Sequence, residues 1–147
     1  MRVCWTLAVV LGLIAGVPCG AFSQTIAGAG PIYALPFSHE AVPAGLPDDV
    51  ALCLFRVVQE ALRNVVKHSA ATDGSIQLRG QEHGLALSIT DNGVGFDVDD
   101  IRTKGLGLLS ISERLQSVGG RLDIWSRPGS GTQLEIVVPI AVAPVLQ

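Results

Sequence analysis

The stretch Phe55-Arg56-Val57-Val58-Gln59-Glu60-Ala61-Leu62-Arg63-Asn64-Val65-Val66-Lys67-His68 carries two patterns at once. It lies within a helical pattern opened by Pro47-Asp48-Asp49, with Asp48 placed as an N-cap. Val50, Leu54, Val57, Val58, Ala61, Leu62, Val65 and Val66 recur at helical spacing and make one wide apolar face. The spacing predicts an end near Ser69. The polar side is ordered as well. With Glu60 set to zero, Asn64 falls near ~40° and Lys67 near ~−20°, and His68 borders the stripe. A carboxylate there can orient and deprotonate a water or hydroxyl. An amide oxygen suits a hard cation such as Mg²⁺, and a lysine supplies a point charge for phosphate. Taken alone, the stripe also reads as an ordinary solvated helix face.

Outward from this helix, residues 75–79 and 85–90 alternate in polarity, joined by Gln81-Glu82-His83-Gly84 as a hairpin turn. A second helix follows, with Leu108, Ile111, Leu115 and Val118 on one stripe and Gly119-Gly120 as its stop. Residues 121–126 and 133–138 alternate again, linked by Pro128-Gly129-Ser130-Gly131. Upstream, residues 25–47 are rich in Gly, Ala and Pro and hold one extended candidate, 32–39. The order strand, helix, two strands, helix, two strands predicts an α+β fold. Its expected form is a two-layer sandwich, a mixed sheet with the helices on one face.

Three glycine loops punctuate this order. Asp91-Asn92-Gly93-Val94-Gly95-Phe96 follows a strand directly, so Asp91 is placed to accept a hydrogen bond while the glycines let a ligand approach the backbone. Gly105-Leu106-Gly107-Leu108 opens the second helix, where free N–H groups and the helix dipole favour phosphate. Gly129-Ser130-Gly131-Thr132 enters the last strand. Singly, each is also an ordinary turn or linker.

In this order and spacing, the helix stripe and the three loops resemble the GHKL ATP-binding fold shared by gyrase, a heat-shock chaperone and histidine kinases. The stretch 55–68 looks like the N box of the short-lid histidine kinases that pair with helix-turn-helix response regulators. The resemblance covers roughly residues 32–140. It implies that Asn64 coordinates a Mg²⁺ bridging the phosphates, that Glu60 is the general base, and that Lys67 and His68 lie near the phosphate chain. It further implies that Asp91 hydrogen-bonds the adenine amino group and that Gly93 and Gly95 shape the pocket wall. Gly105 and Gly107, with Leu106 and Leu108 beside them, would hinge a lid over residues 97–104, and Thr132 would lie near the base. The implied activity is protein-histidine kinase, with ATP and Mg²⁺ as cofactors. No Walker-type Gly-x-x-x-x-Gly-Lys loop occurs, so a P-loop enzyme is excluded.

The 147 residues suit one domain with a short appendage: a leader over 1–24, a linker with the first strand over 25–47, the ATP-binding domain over 48–140 and a tail over 141–147. A formal net charge of −3 with mixed signs points away from a nucleic-acid surface. Cys4, Cys19 and Cys53 form no metal or redox spacing, and Cys53 reads as a small core residue. Residues 3–22 are uncharged and mostly apolar behind Arg2, readable as an export signal, a membrane anchor or a stretch foreign to the domain. Export conflicts with the use of ATP, which places the catalytic domain in the cytoplasm. Kinases of this group carry an acceptor histidine on a long upstream helix. His39, His68 and His83 do not sit in such a setting. The expected partners are therefore a histidine-containing dimerisation domain, in trans or lost by truncation, and indirectly a response regulator. A non-catalytic regulatory ATP-binding module, an anti-sigma-type serine kinase and an inactive fragment are the alternatives.

Overall fold

A strand imposes a period of two, and the computed structural model, which describes residues 36–43, 45–100 and 106–140, shows it in the burial of each hairpin. Ile76 and Leu78 turn inward from β2 (Gly74–Gln81), and Leu85, Leu87 and Ile89 from β3 (Gly84–Asp91). The two pair antiparallel, with Gln81 opposite Gly84. β4 (Arg121–Ser126) and β5 (Thr132–Pro139) form the second hairpin, and β5 docks antiparallel on β3. β1 (Phe37–Glu40) adds to β2 in parallel, giving the order β1-β2-β3-β5-β4. Parallel neighbours need a crossover, and α1 (Asp48–Asn64) supplies it. α2 (Leu106–Ser117) fills the interval between the hairpins.

Both helices cover one face of this mixed sheet. Val57 of α1 and Ile111 and Leu115 of α2 meet Ile76, Leu85, Ile136 and Val138 in a core that excludes water from all seven. The opposite face is polar: Gln77, Ser88 and Glu135 stand in register, and Ser75 and Thr90 share a hydroxyl hydrogen bond of 2.8 Å. The fold is thus the α+β two-layer sandwich, with β2, β3 and β5 one or two residues longer at each end than their alternation predicts and β4 as expected. Of the expected strand 32–39, residues 32–35 lie outside the described residues, and β1 itself runs one residue further, to Glu40. The leader 1–24 with Cys4 and Cys19, and the tail 141–147, also lie outside them. Among the described residues, no helix is long and apolar enough to cross a membrane.

Three local outcomes differ from the expected pattern or refine it. The cap position of α1 falls on Pro47 rather than Asp48, with no side-chain cap. Proline at φ −54° and ψ 138° already has the extended geometry a cap needs. Asp48 and Asp49 instead sit inside the first turn, where the helix dipole favours them. Val66, expected on the apolar face, is 72% exposed. It lies ~40° beyond Leu62, past the edge of the buried arc. Cys53 is buried, and its thiol donates to the Arg114 carbonyl at 3.4 Å, locking α1 to α2. Burial raises its pKa, against a smaller lowering by Arg114.

At its C-terminal end α1 widens into a single π turn, Val65–Ser69, and the Ser69 hydroxyl donates back to the Val65 carbonyl at 2.7 Å. Ala70 then reverses the chain at φ 47° and ψ 27°, a left-handed conformation that a Cβ disfavours. Ala70→Gly is expected to raise stability by ~0.5–1 kcal/mol, seen as a higher denaturant midpoint at unchanged slope. A midpoint that stays put or falls would show that Ala70 carries no strain. α2 ends in a Schellman motif, Gly120 N–H to Leu115 at 2.7 Å and Gly119 N–H to Gln116 at 3.1 Å.

Candidate functional site

The π turn and the polar stripe of α1 face a cavity of about 630 Å³, closed by the loop after β3, the first turn of α2 and the start of β5. Glu60, Asn64, Lys67 and His68 line it. Asp91 and Thr132, from the ends of β3 and β5, line it too. Ala61, Ile89, Leu108 and Leu134 present apolar walls, the kind of slot that accepts a flat ring with polar groups at its ends.

At the α1 end, Glu60 pairs with Arg63 at 3.1 Å, and Arg63 also lines the cavity. A Cβ added to Gly107 would lie 2.9 Å from Glu60 Oε1 and 3.3 Å from both Asn64 side-chain polar atoms. A side chain at 107 would press on the ends of the Glu60 and Asn64 side chains and displace them, so glycine leaves those polar groups in place beside the N-terminal turn of α2. The result is a cradle of helix N–H groups beside a carboxylate and an amide, the geometry that favours an anion and its counter-cation. Leu106 contributes its backbone to this turn, while Gly105 and residues 101–104 of the expected lid lie outside the described residues. Of the rest of the lid, Asp97 accepts the Asp99 N–H at 3.0 Å.

At the other end Asp91 closes β3. Its Oδ1 accepts the Gly93 N–H at 2.8 Å. Burial raises the Asp91 pKa, and the Gly93 hydrogen bond only partly opposes it. Gly93 itself sits behind the cavity wall rather than on it: a Cβ there would lie 2.5 Å from Ser69 Cβ. Gly95 does line the cavity, under the Arg127 carbonyl. The wall is braced by hydroxyls. Ser126 Oγ accepts the Phe96 N–H at 2.9 Å and donates to the Gly131 carbonyl at 2.9 Å. Its contact with Thr132 Oγ1 at 3.1 Å is then one in which Thr132 donates. That leaves Thr132 lone pairs for the cavity.

Nine of the twelve residues singled out in the sequence therefore line one cavity; Gly93 supports it from behind, and Gly105 and the Leu106 side chain fall outside the described residues. Arg63, Ser69, Val94 and Phe96 also line it without having been singled out. Arg63 was visible in principle, three residues after Glu60 on the same helix. The bracing Ser126 carries no sequence signal, because its role depends on three chain segments meeting. Among the described residues, no group of three or more His, Cys, Asp or Glu side chains can hold a metal.

The sequence profile described as "Histidine kinase-, DNA gyrase B-, and HSP90-like ATPase" matches residues 49–142. Fold and match together define an ATP-binding domain of the two-layer type. The chain belongs to this ATPase family. It is 44% identical over 87 residues to the sensor histidine kinase LiaS of Bacillus subtilis, covering 59% of this chain and 24% of LiaS. To the sensor protein VraS of Staphylococcus saprophyticus it is 40% identical over 99 residues, 67% of this chain and 27% of VraS. The chain thus spans about a quarter of the length of the curated relatives it matches. Among solved structures, the Erythrobacter litoralis EL346 blue-light activated histidine kinase superposes with a TM-score of 0.61 at 23% identity, over 94% of this chain and 41% of that one. The histidine kinase domain of the same protein gives 0.60 over 92% and 78%. At that identity the likeness shows the fold.

Proposed function

We propose that this chain is the ATP-binding catalytic unit of a sensor histidine kinase, using Mg-ATP to phosphorylate a histidine on a dimerisation domain outside this unit, with a response regulator downstream. One observation carries the reading: a carboxylate and an amide on α1, a strand-end carboxylate and apolar side chains all line one cavity. In this reading Asp91 Oδ2 accepts the adenine amino group, with Thr132 beside the base. Lys67 and His68 hold the phosphate chain at the N-terminus of α2, and Gly105 and Gly107 hinge the lid. Domain boundaries at 48 and 140 and a cytoplasmic setting for the domain belong to the same proposal.

Mg²⁺ fits the residues present. Asn64 brings a neutral hard oxygen to the cradle at Gly107. With no carboxylate cage among the described residues, the remaining ligands would come from phosphate and water, as is usual for this ion. When bound, it would neutralise charge on the β- and γ-phosphates. Glu60, held by Arg63, then takes the proton of the attacking imidazole or orients it.

His39 lies in β1, stacked on Phe37 at 6.1 Å, and His83 lies in the β2–β3 turn. His68 stands in the π turn and lines the cavity itself. None of the three is on a long dimerising helix, so the reading places the acceptor on another domain. The test adds an acceptor domain to the chain with Mg-ATP. Glu60→Gln is expected to keep ATP binding and lower phosphotransfer ~100-fold or more. Unimpaired phosphotransfer in that variant would remove Glu60 as base, and a folded chain that binds no ATP would overturn the proposal.

A further inference from the structure

Asn92 does not line the cavity, yet its side chain makes three hydrogen bonds. Its Oδ1 accepts the N–H groups of Thr72 and Asp73, both at 2.9 Å. Its Nδ2 donates to Thr72 Oγ1 at 3.0 Å, and its backbone N–H donates to the Asp73 carbonyl at 3.1 Å. Two residues on, Val94 N–H donates to the Ser69 carbonyl at 2.7 Å. The loop that carries Asp91 is therefore clasped along its length by residues 69–73, the segment that leaves the π turn bearing Lys67 and His68.

The clasp ties the loop after β3 to the segment that leaves the π turn. Its far side holds Ala70 in a left-handed conformation, so the segment is held by its partners rather than by its own preference. Both backbone donors taken by Asn92 Oδ1 belong to consecutive residues, an arrangement that sets the direction of the 72–73 peptides and with it the height of the Asp91 carboxylate. An amide suits this place because a single side chain accepts twice and meets a hydroxyl that can either accept or donate.

We infer that Asn92 is a positioning residue for nucleotide binding: it sets the Asp91 carboxylate against the π turn, so that base and phosphates are met at one fixed spacing. The inference rests on the ATP-binding reading of the cavity and deepens it.

The test is a double-mutant cycle on the full chain, with ADP as probe and calorimetric Kd measured below the melting transition of every variant. Asn92→Ala raises the ADP Kd about tenfold, but less than about threefold when Asp91 is already Asn, because it acts through that carboxylate. Asn92→Asp restores the Kd to within about threefold of the native chain, since its carboxylate accepts both N–H groups and takes the Thr72 hydroxyl proton. If Asn92→Ala does not fold, Thr72→Val, which deletes one bond of the clasp, replaces it in the cycle with an expected rise of about threefold. A lower melting temperature with an ADP Kd within about twofold of native would make Asn92 a structural brace only and overturn the inference. So would equal effects in both Asp91 backgrounds. If the native chain binds ADP and Asp91→Asn weakens it while Asn92→Ala does not, the inference alone falls. A folded native chain that binds no ADP overturns it together with the cavity reading.

Discussion

Asp91→Asn is expected to weaken ADP and ATP binding ~10- to 100-fold while leaving the empty domain at least as stable as before. The substitution changes one atom. Asp91 Oδ1 is occupied by the Gly93 N–H, so Oδ2 is the acceptor left for a ligand. In the variant, Oδ1 keeps Gly93 and an NH₂ group replaces Oδ2, setting a donor against the donor amino group of adenine. Turning the amide over merely moves the conflict to Gly93. Either way a desolvated donor goes unmet, which costs ~1–3 kcal/mol. Guanine presents an acceptor at the same position, so the preference for ATP over GTP should narrow.

Stability moves the other way. Burial raises the Asp91 pKa, with the Gly93 hydrogen bond as the smaller, opposing influence. The folded state therefore holds a proton that the unfolded chain has already released, and the native chain loses stability as pH rises from the ordinary carboxylate range through that raised value. Asn carries no such charge. The stability advantage of Asp91→Asn is thus expected at neutral pH and shrinks as pH falls through the raised value. Thermal melts of both chains across pH, beside ADP titrations at pH 7, check the two halves. Undiminished ADP affinity would remove Asp91 from base recognition, and a variant less stable at neutral pH would show that its charge is not a burden to the fold.

Gly131→Ala is expected to cost ~3 kcal/mol or more. Gly131 has φ 74°, where a side chain is strained by ~1–2 kcal/mol before it meets anything. What it meets is backbone: the new Cβ would overlap the Asp91 carbonyl and lie 3.0 Å from Asn92 Cα. Neither can rotate away as a side chain would. Relief requires β5 to part from β3 where Asp91 pairs with Thr132, and the Ser126 bridge from Gly131 to Phe96 stretches with it. Denaturant midpoint and ADP affinity should fall together. A variant as stable as the native chain would show that the β3 and β5 ends shift as a unit without strain.

The contrast between these two positions shows what was readable in the residues. Asp91 was legible because a carboxylate directly after an alternating strand has a fixed place at the strand end. The α1 stripe was legible for the same kind of reason, since helix geometry alone brings Glu60, Asn64 and Lys67 to one side. Gly131 looked like an ordinary turn residue, because its neighbour in space is a loop some 40 residues earlier in the chain. Gly93 was read as pocket wall and instead packs against Ser69. That contact arises from the π turn, a widening that no apolar periodicity announces. The cap of α1 moved from Asp48 to Pro47 because an allowed proline geometry outweighed a favoured side chain.

Local periodicity and turn chemistry in the sequence thus determined the order of the two long helices and two hairpins, the side of α1 that is buried and the glycines that open its facing loops. These follow from rules that act over a few residues. Only the tertiary structure decided that Asp91 and Asn64 line one cavity, that Gly107 lies beside the Glu60 and Asn64 side chains, and that Asn92 and Ser126 hold the site's walls. Those distances depend on strand order and helix docking, which are set when apolar surfaces distant in sequence are buried together.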